Sequence, residues 1–238
     1  VLLDLPTDEG LLLRHYTLAD DDIEYIRSRR RPHNRFGFAL QLCAFRYPGR
    51  LLSADEIIPA EITEYLAAQL GLKSADLMRY AHRLETRREH LTDLRAIYGY
   101  KMFSGGGARD LKVWLEHEAE TARSNMDLAH KFIEECRRSH TILPGISVIE
   151  RLCADALVAA ERRIETRIVE RLTDVVKDQL DVLLTKTADA QVSQFIWLRQ
   201  FEVGKNSADI NRLLDRLEFL QGIMPPIDVM DGVPSHQI

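Results

Sequence analysis

Apolar side chains recur at spacings of three and four along this chain, and the stretches between breaks are closed by proline or glycine rather than by β-branched runs. That rhythm is helical, and it restricts the fold more than any other feature of the sequence. Pro32 cannot sit inside a helix but suits the first turn of one. Phe36, Leu40, Cys43 and Tyr47 then follow at helical spacing until Pro48-Gly49 ends the segment. Only twelve glycines and eight prolines occur in 238 residues, with Leu, Ala, Glu and Arg prominent. The expectation is an all-α fold of two helical bundles containing helix-turn-helix-like units, with no substantial sheet.

Charge is distributed unevenly along this helical frame. Between positions 27 and 50 stand seven arginines (Arg27, Arg29, Arg30, Arg31, Arg35, Arg46, Arg50) and no acidic residue, in a chain whose net charge is −5. Such an island is the electrostatic footprint of a polyanion partner. A helix introduced by Asp20-Asp21-Asp22 runs into Arg31, and Pro32 opens the next one. The corner Arg29-Arg30-Arg31-Pro32-His33-Asn34-Arg35 would therefore present basic side chains beside free N–H groups, a seat for phosphate. The alternative is a solvated arginine turn. Asn34 could pair with adenine, but beside a proline an amide more often closes a turn, which is the reading favoured here.

A second indication is geometrical. Pro59 starts a helix that ends near Leu70-Gly71, and Ser74 can cap another from Ala75, with Ala67 small enough for close approach and Leu77 placed to pack back. In that helix-turn-helix arrangement Ser74, Met78 and Arg79 would face a groove. Many αα-hairpins without a nucleic-acid role share this outline. Beyond it Arg79, Arg83, Arg87, Arg88 and Arg95 recur on a long helix, interleaved with Glu85, Glu89 and Asp93, so some pair within the helix. Lys101, Arg109, Lys205, Ser207 and Arg212 complete the set of candidate DNA contacts. Gly105-Gly106-Gly107 lacks the preceding strand and following lysine of a phosphate loop, and reads as a flexible connector.

A helix over 126–140 completes a first unit, and Ile142-Leu143-Pro144-Gly145 is the expected joint, giving domains 1–143 and 144–238. The first carries a net charge of −1 and the second −4, so the preference for a polyanion sits in the first. The second opens with a long helix over 147–171 whose Ile149, Leu152, Cys153, Leu157, Ile164 and Ile168 form an apolar stripe suited to packing or a partner. Helices near 174–185, 190–201 and 208–221 follow, the last two again forming helix, turn, helix. The opening Val1 and the final residues, which resemble the entry to another helix, suggest a piece of a longer chain.

Cys43, Cys136 and Cys153 lack metal or disulfide spacing and read as buried thiols. No apolar run approaches a membrane span and no signal peptide opens the chain, so a cytoplasmic location is expected. Eight histidines are the only candidates for a small-molecule enzyme, and none has a catalytic spacing. His117 lacks the second histidine of an HExxH helix.

Several strings resemble the N-terminal part of replicative, cointegrate-forming bacterial transposases of the Tn3 family. They are Leu13-Arg14-His15-Tyr16-Thr17-Leu18, the run from Arg29-Arg30-Arg31-Pro32 to Cys43, Arg46-Tyr47-Pro48-Gly49-Arg50, Arg87-Arg88-Glu89-His90-Leu91, and Leu143-Pro144-Gly145-Ile146-Ser147. The stretch over 201–220 continues the likeness. The resemblance implies sequence-specific binding of double-stranded DNA at terminal inverted repeats, ahead of an RNase-H-like DDE catalytic domain that this chain lacks. It also implies self-association through the full-length enzyme and a bacterial, nucleoid-associated location. Mg²⁺ would belong only to that missing domain, whose chemistry needs three carboxylates and two divalent metals. The chain alone is expected to be non-catalytic, with no metal, no cofactor, no membrane and no small-molecule substrate. The alternative is an assembly or dimerisation module of the same transposase with only non-specific affinity for DNA.

Overall fold

The computed structural model describes residues 3–53, 55–80, 84–185, 193–199, 207–223, 225–226 and 228–235. It is predominantly helical. The elements are α1 (Glu9–His15), α2 (Asp20–Arg27), α3 (Pro32–Arg46), α4 (Ala60–Leu70), a 3₁₀ helix (Ser74–Arg79), α5 (Leu84–Tyr98), β1 (Lys101–Met102), α6 (Gly105–Glu118), α7 (Asn125–Arg138), β2 (Thr141–Ile142), α8 (Ile146–Arg171), α9 (Asp174–Leu184), α10 (Gln194–Arg199) and α11 (Ser207–Gln221). Among the described residues the only sheet is the parallel pair β1 and β2, with Lys101 opposite Thr141 and Met102 opposite Ile142.

Local chemistry accounts for most helix ends. Asp8 caps α1 by accepting from the Leu11 amide at 3.1 Å, and Ser124 caps α7 by accepting from Asp127. Pro32 occupies the first turn of α3. Gly71 ends α4 with φ of 62°, the left-handed conformation that glycine adopts without penalty.

The chain forms two compact units, Val1–Val158 and Ala159–Ile238, so the division falls inside α8 rather than at the Ile142-Leu143-Pro144-Gly145 joint. The first half of that joint is held in the first unit, where the Leu143 amide donates to the Gly49 carbonyl at 2.8 Å and both Ile142 and Leu143 are buried, while Gly145 is exposed.

The first unit is organised around α3, which packs against α2, α4, the 3₁₀ helix and α5. From Phe36 to Phe45 every residue is buried, whereas helical spacing alone marked one apolar face. Tyr16, Ile26, Ile62, Leu66 and Leu94 pack into the same core.

Two local expectations change. Gly105-Gly106-Gly107 forms the first turn of α6 after Ser104, so it is helix and not connector. The second member of the helix-turn-helix is a six-residue 3₁₀ turn, not an α-helix from Ala75. At its start Asp76 accepts from the Lys73 amide, and at its end Tyr80, 3% exposed, turns into the core against Gly37.

In the second unit, Thr173 caps α9, and Arg171 donates to the carbonyls of Asp228, Val229 and Asp231. Trp197 packs edge-on against Phe219 with the Arg216 guanidinium 5.0 Å from its ring centre. The turn between α10 and α11 lies outside the described residues.

Candidate nucleic-acid interface

The corner between α2 and α3 follows from helical phase. Ile26 is fully buried, which directs Arg27 to solvent. Ser28 continues in helical geometry, and the Arg29 amide closes onto the Ile26 carbonyl at 3.1 Å. Arg31 is extended, with φ of −117°, and hands the chain to Pro32. Arg27, Arg30 and Arg31 are exposed and make no side-chain hydrogen bond or ion pair with any described residue. No acidic residue lies in the first turn of α3, so the positive end of that helix adds to the same field.

The remaining arginines of the island turn inward. Arg29 pairs with Asp93 of α5 at 2.6 Å while its guanidinium lies 4.4 Å from the centre of the Phe38 ring. Arg35 donates through Nε to the Arg29 carbonyl at 2.8 Å. Arg46 donates to both oxygens of Asp22, at 2.8 and 2.9 Å. That carboxylate also accepts from the Ala19 amide at 2.8 Å and the Tyr98 hydroxyl at 2.9 Å. Arg50 grips Glu56 with two nitrogens and donates to the carbonyls of Leu3 and Leu51. The hydrogen bond from Arg50 holds the Glu56 carboxyl below its usual value. His33 is buried, and the half-buried Asn34 leaves its Oδ1 unbonded, so its side-chain oxygen does not close the turn.

With that geometry in place, comparison with known proteins is informative. A family model described as Domain of unknown function (DUF4158) matches residues 1–156, nearly the whole of the first compact unit. The chain is 37% identical over 220 residues to the transposase for transposon Tn501 of Pseudomonas aeruginosa, an alignment covering 92% of this chain and 22% of that protein. It is 35% identical over 237 residues to the transposases for Tn21 and for Tn3926, both of Escherichia coli, covering 100% of this chain and 24% of each relative. The chain belongs to the Tn3-family transposases. It spans about a quarter of the length of these curated relatives.

In this transposase region the other candidate residues are dispersed. Arg87 donates to the Leu52 carbonyl at 2.7 Å, whereas Arg88 is exposed on α5. Ser74 is exposed at the start of the 3₁₀ helix, Lys101 on β1 and Arg109 on α6. Arg83 and Lys205 lie outside the described residues, as do the side chains of Met78, Arg79, Ser207 and Arg212. Sequence reasoning missed Arg137, which donates to the Pro48 carbonyl at 2.9 Å and sits 4.5 Å from the centre of the Tyr47 ring. No local pattern marks it, since its partners lie far away in sequence. Cys43, Cys136 and Cys153 are buried and free, and burial pushes the Cys43 thiol up to about 12. Among the described residues no group of three or more His, Cys, Asp or Glu side chains could hold a metal ion. No helix among them is long and apolar enough to cross a membrane.

Proposed function

We propose that this region of the transposase binds double-stranded DNA at the terminal inverted repeats of its element, with Arg27, Arg30 and Arg31 neutralising phosphates at the α2–α3 corner. The observation that carries this reading is the exposure of those three side chains without an internal partner, beside a helix start that has no acidic residue. The transposase relatives support DNA as the partner. Arg88, Lys101 and Arg109 are exposed and available for further phosphate contacts.

The test is a salt-titrated binding assay of the 238-residue chain with the inverted-repeat end of its element and with a scrambled duplex. Each lost phosphate contact lowers the magnitude of the slope of log K against log[salt] by about 0.9. Changing Arg27, Arg30 and Arg31 together to Ala should therefore reduce that magnitude by about 2.7 and weaken binding at low salt. An unchanged slope in a folded triple variant would remove the corner from the interface.

A second reading is assembly through the second unit. It is favoured by one observation, the exposed stripe Ile210, Leu213, Leu214, Leu217 and Leu220 along α11. Equal, weak binding to both duplexes in the same assay would shift the conclusion to this reading.

A further inference from the structure

The helix that follows the arginine corner cannot reach into a DNA groove, because every residue of α3 from Phe36 to Phe45 is buried. Of the elements packed around it, α4 exposes the charged residues Glu61 and Glu64, and α2 exposes Asp20, Asp21 and Glu24 ahead of Arg27, so both faces repel phosphate. The 3₁₀ helix has six residues and exposes Asp76. That leaves α5, fifteen residues long, with arginines on its open side.

His90 and Leu94, 3% and 0% exposed, fix the inner face of α5. At about 100° per residue, Thr92 and Ala96 then stand at the middle of the outer face, with Arg88 and Arg95 along one flank and Glu85 and Glu89 along the other. All six are exposed. The Arg88 and Arg95 side chains make no hydrogen bond or ion pair with any described residue. The Thr92 hydroxyl donates to the Arg88 carbonyl at 3.0 Å, so the group it has left to offer is chiefly its methyl. The helix is fixed to the corner, since Asp93 on the Glu89 side binds Arg29 at 2.6 Å and the Tyr98 hydroxyl donates to Asp22 of α2 at 2.9 Å.

Two arginines against two glutamates leave this face without net charge, so it is fitted to selective contacts rather than to bulk attraction. An α-helix enters the roughly 12 Å major groove of B-DNA, and Arg88 to Arg95 spans about 10 Å, about three base-pair steps. Arginine matches the O6 and N7 acceptors of guanine with two hydrogen bonds, and a threonine methyl packs on the methyl of thymine.

We propose that α5 is the helix that reads DNA sequence, lying in the major groove with Arg88 and Arg95 each donating to a guanine and the Thr92 methyl against a thymine. The inference rests on the proposed DNA binding at the corner, whose Arg27, Arg30 and Arg31 hold the adjoining phosphates.

Lysine can replace arginine at a phosphate but not in a two-bond contact with guanine, so Arg88→Lys and Arg95→Lys separate the two roles. Both positions are exposed, and the variants should melt with the parent. In competition binding of the 238-residue chain, each should lose about tenfold in affinity for the inverted-repeat end of the element, keep its affinity for a scrambled duplex and leave the salt slope unchanged. Thr92→Ser deletes only the methyl, so a thymine-to-uracil replacement in that end should weaken the parent severalfold and leave the Ser variant unaffected. The proposal is overturned if both Lys variants retain the parent's preference for the inverted-repeat end, or if no uracil replacement distinguishes Thr92→Ser from the parent. A parent that binds the two duplexes equally fails at the earlier step, since that result removes sequence-specific binding itself and this inference with it.

Discussion

The division of the arginine island into inward and outward members can be tested at Arg46. Asp22 is 2% exposed and rests on three donors: Arg46, the Ala19 amide and the Tyr98 hydroxyl. Arg46→Ala removes the only one that carries charge and leaves a carboxylate in a pocket built for an ion pair. Breaking a buried pair by deleting one member costs about 3–5 kcal/mol. The Arg46 side chain keeps 28% of its surface exposed, so water can partly replace it and the lower end, about 3 kcal/mol, applies. In a domain of this size that corresponds to a fall in melting temperature of roughly 6–12 °C.

Urea denaturation followed by circular dichroism measures this, with Arg30→Ala as the matched control. An exposed arginine without an internal partner should change stability by less than about 0.5 kcal/mol. A double-mutant cycle with Asp22→Ala isolates the pair, and the second substitution should add little once Arg46 is gone. If Arg46→Ala costs under about 1 kcal/mol and acts on stability no more than Arg30→Ala, the inward assignment is refuted.

Two further perturbations probe the core around Tyr80. A Cβ at Gly37 would stand 2.3–2.4 Å from atoms of the Tyr80 ring, so Gly37→Ala should destabilise by about 3 kcal/mol or more on denaturant unfolding; a neutral or stabilising result, as helix propensity alone would give, sinks the packing account. His90 is 3% exposed between Phe38 and Tyr80, and burial lowers it from 6.5 to about 4, with nearby Arg29 adding to the effect and Asp93 opposing it. It is neutral in the folded state and takes up its proton more readily when unfolded, so its contribution is complete above pH 6.5 and is lost as pH falls towards 4, by up to about 3 kcal/mol. Urea midpoints measured from pH 7 to pH 4 should show this loss, and a His90→Gln variant should flatten it; identical pH profiles would exclude His90 as the source.

Most of the helical plan was legible because it rests on local signals. The proline at the start of α3 and the left-handed Gly71 after α4 act within one turn, and each lies close to where the pattern placed it. Three features needed tertiary structure. Helical spacing marked Phe36, Leu40 and Cys43 but gave no sign that four elements enclose α3, burying Phe38, Gln41 and Phe45 as well. The helix expected from Ala75 is instead a 3₁₀ turn, after which Tyr80 enters the gap that Gly37 leaves. The fate of each arginine depended on the distance to its carboxylate: Glu56 lies six residues from Arg50, within reach of local reasoning, whereas Asp22 and Asp93 lie 24 and 64 residues from Arg46 and Arg29.

The inward arginines also bear on the outward ones. Arg29 stands between Arg27 and Arg30 in sequence, and its side chain is fixed to Asp93 while its carbonyl is held by Arg35. The backbone of the corner is thus anchored to α5 on one side and to α3 on the other before any ligand arrives. For the proposed role this matters energetically, because a phosphate seat whose backbone is already fixed loses less conformational freedom on binding than a free loop. Only the side-chain torsions of Arg27, Arg30 and Arg31 then remain to be ordered. An unbroken run of exposed arginines would supply more charge but a looser frame. On the proposed reading, committing four of the seven arginines to structure would exchange field strength for a defined register, which is what phosphate contacts contribute to the reading of a particular DNA site.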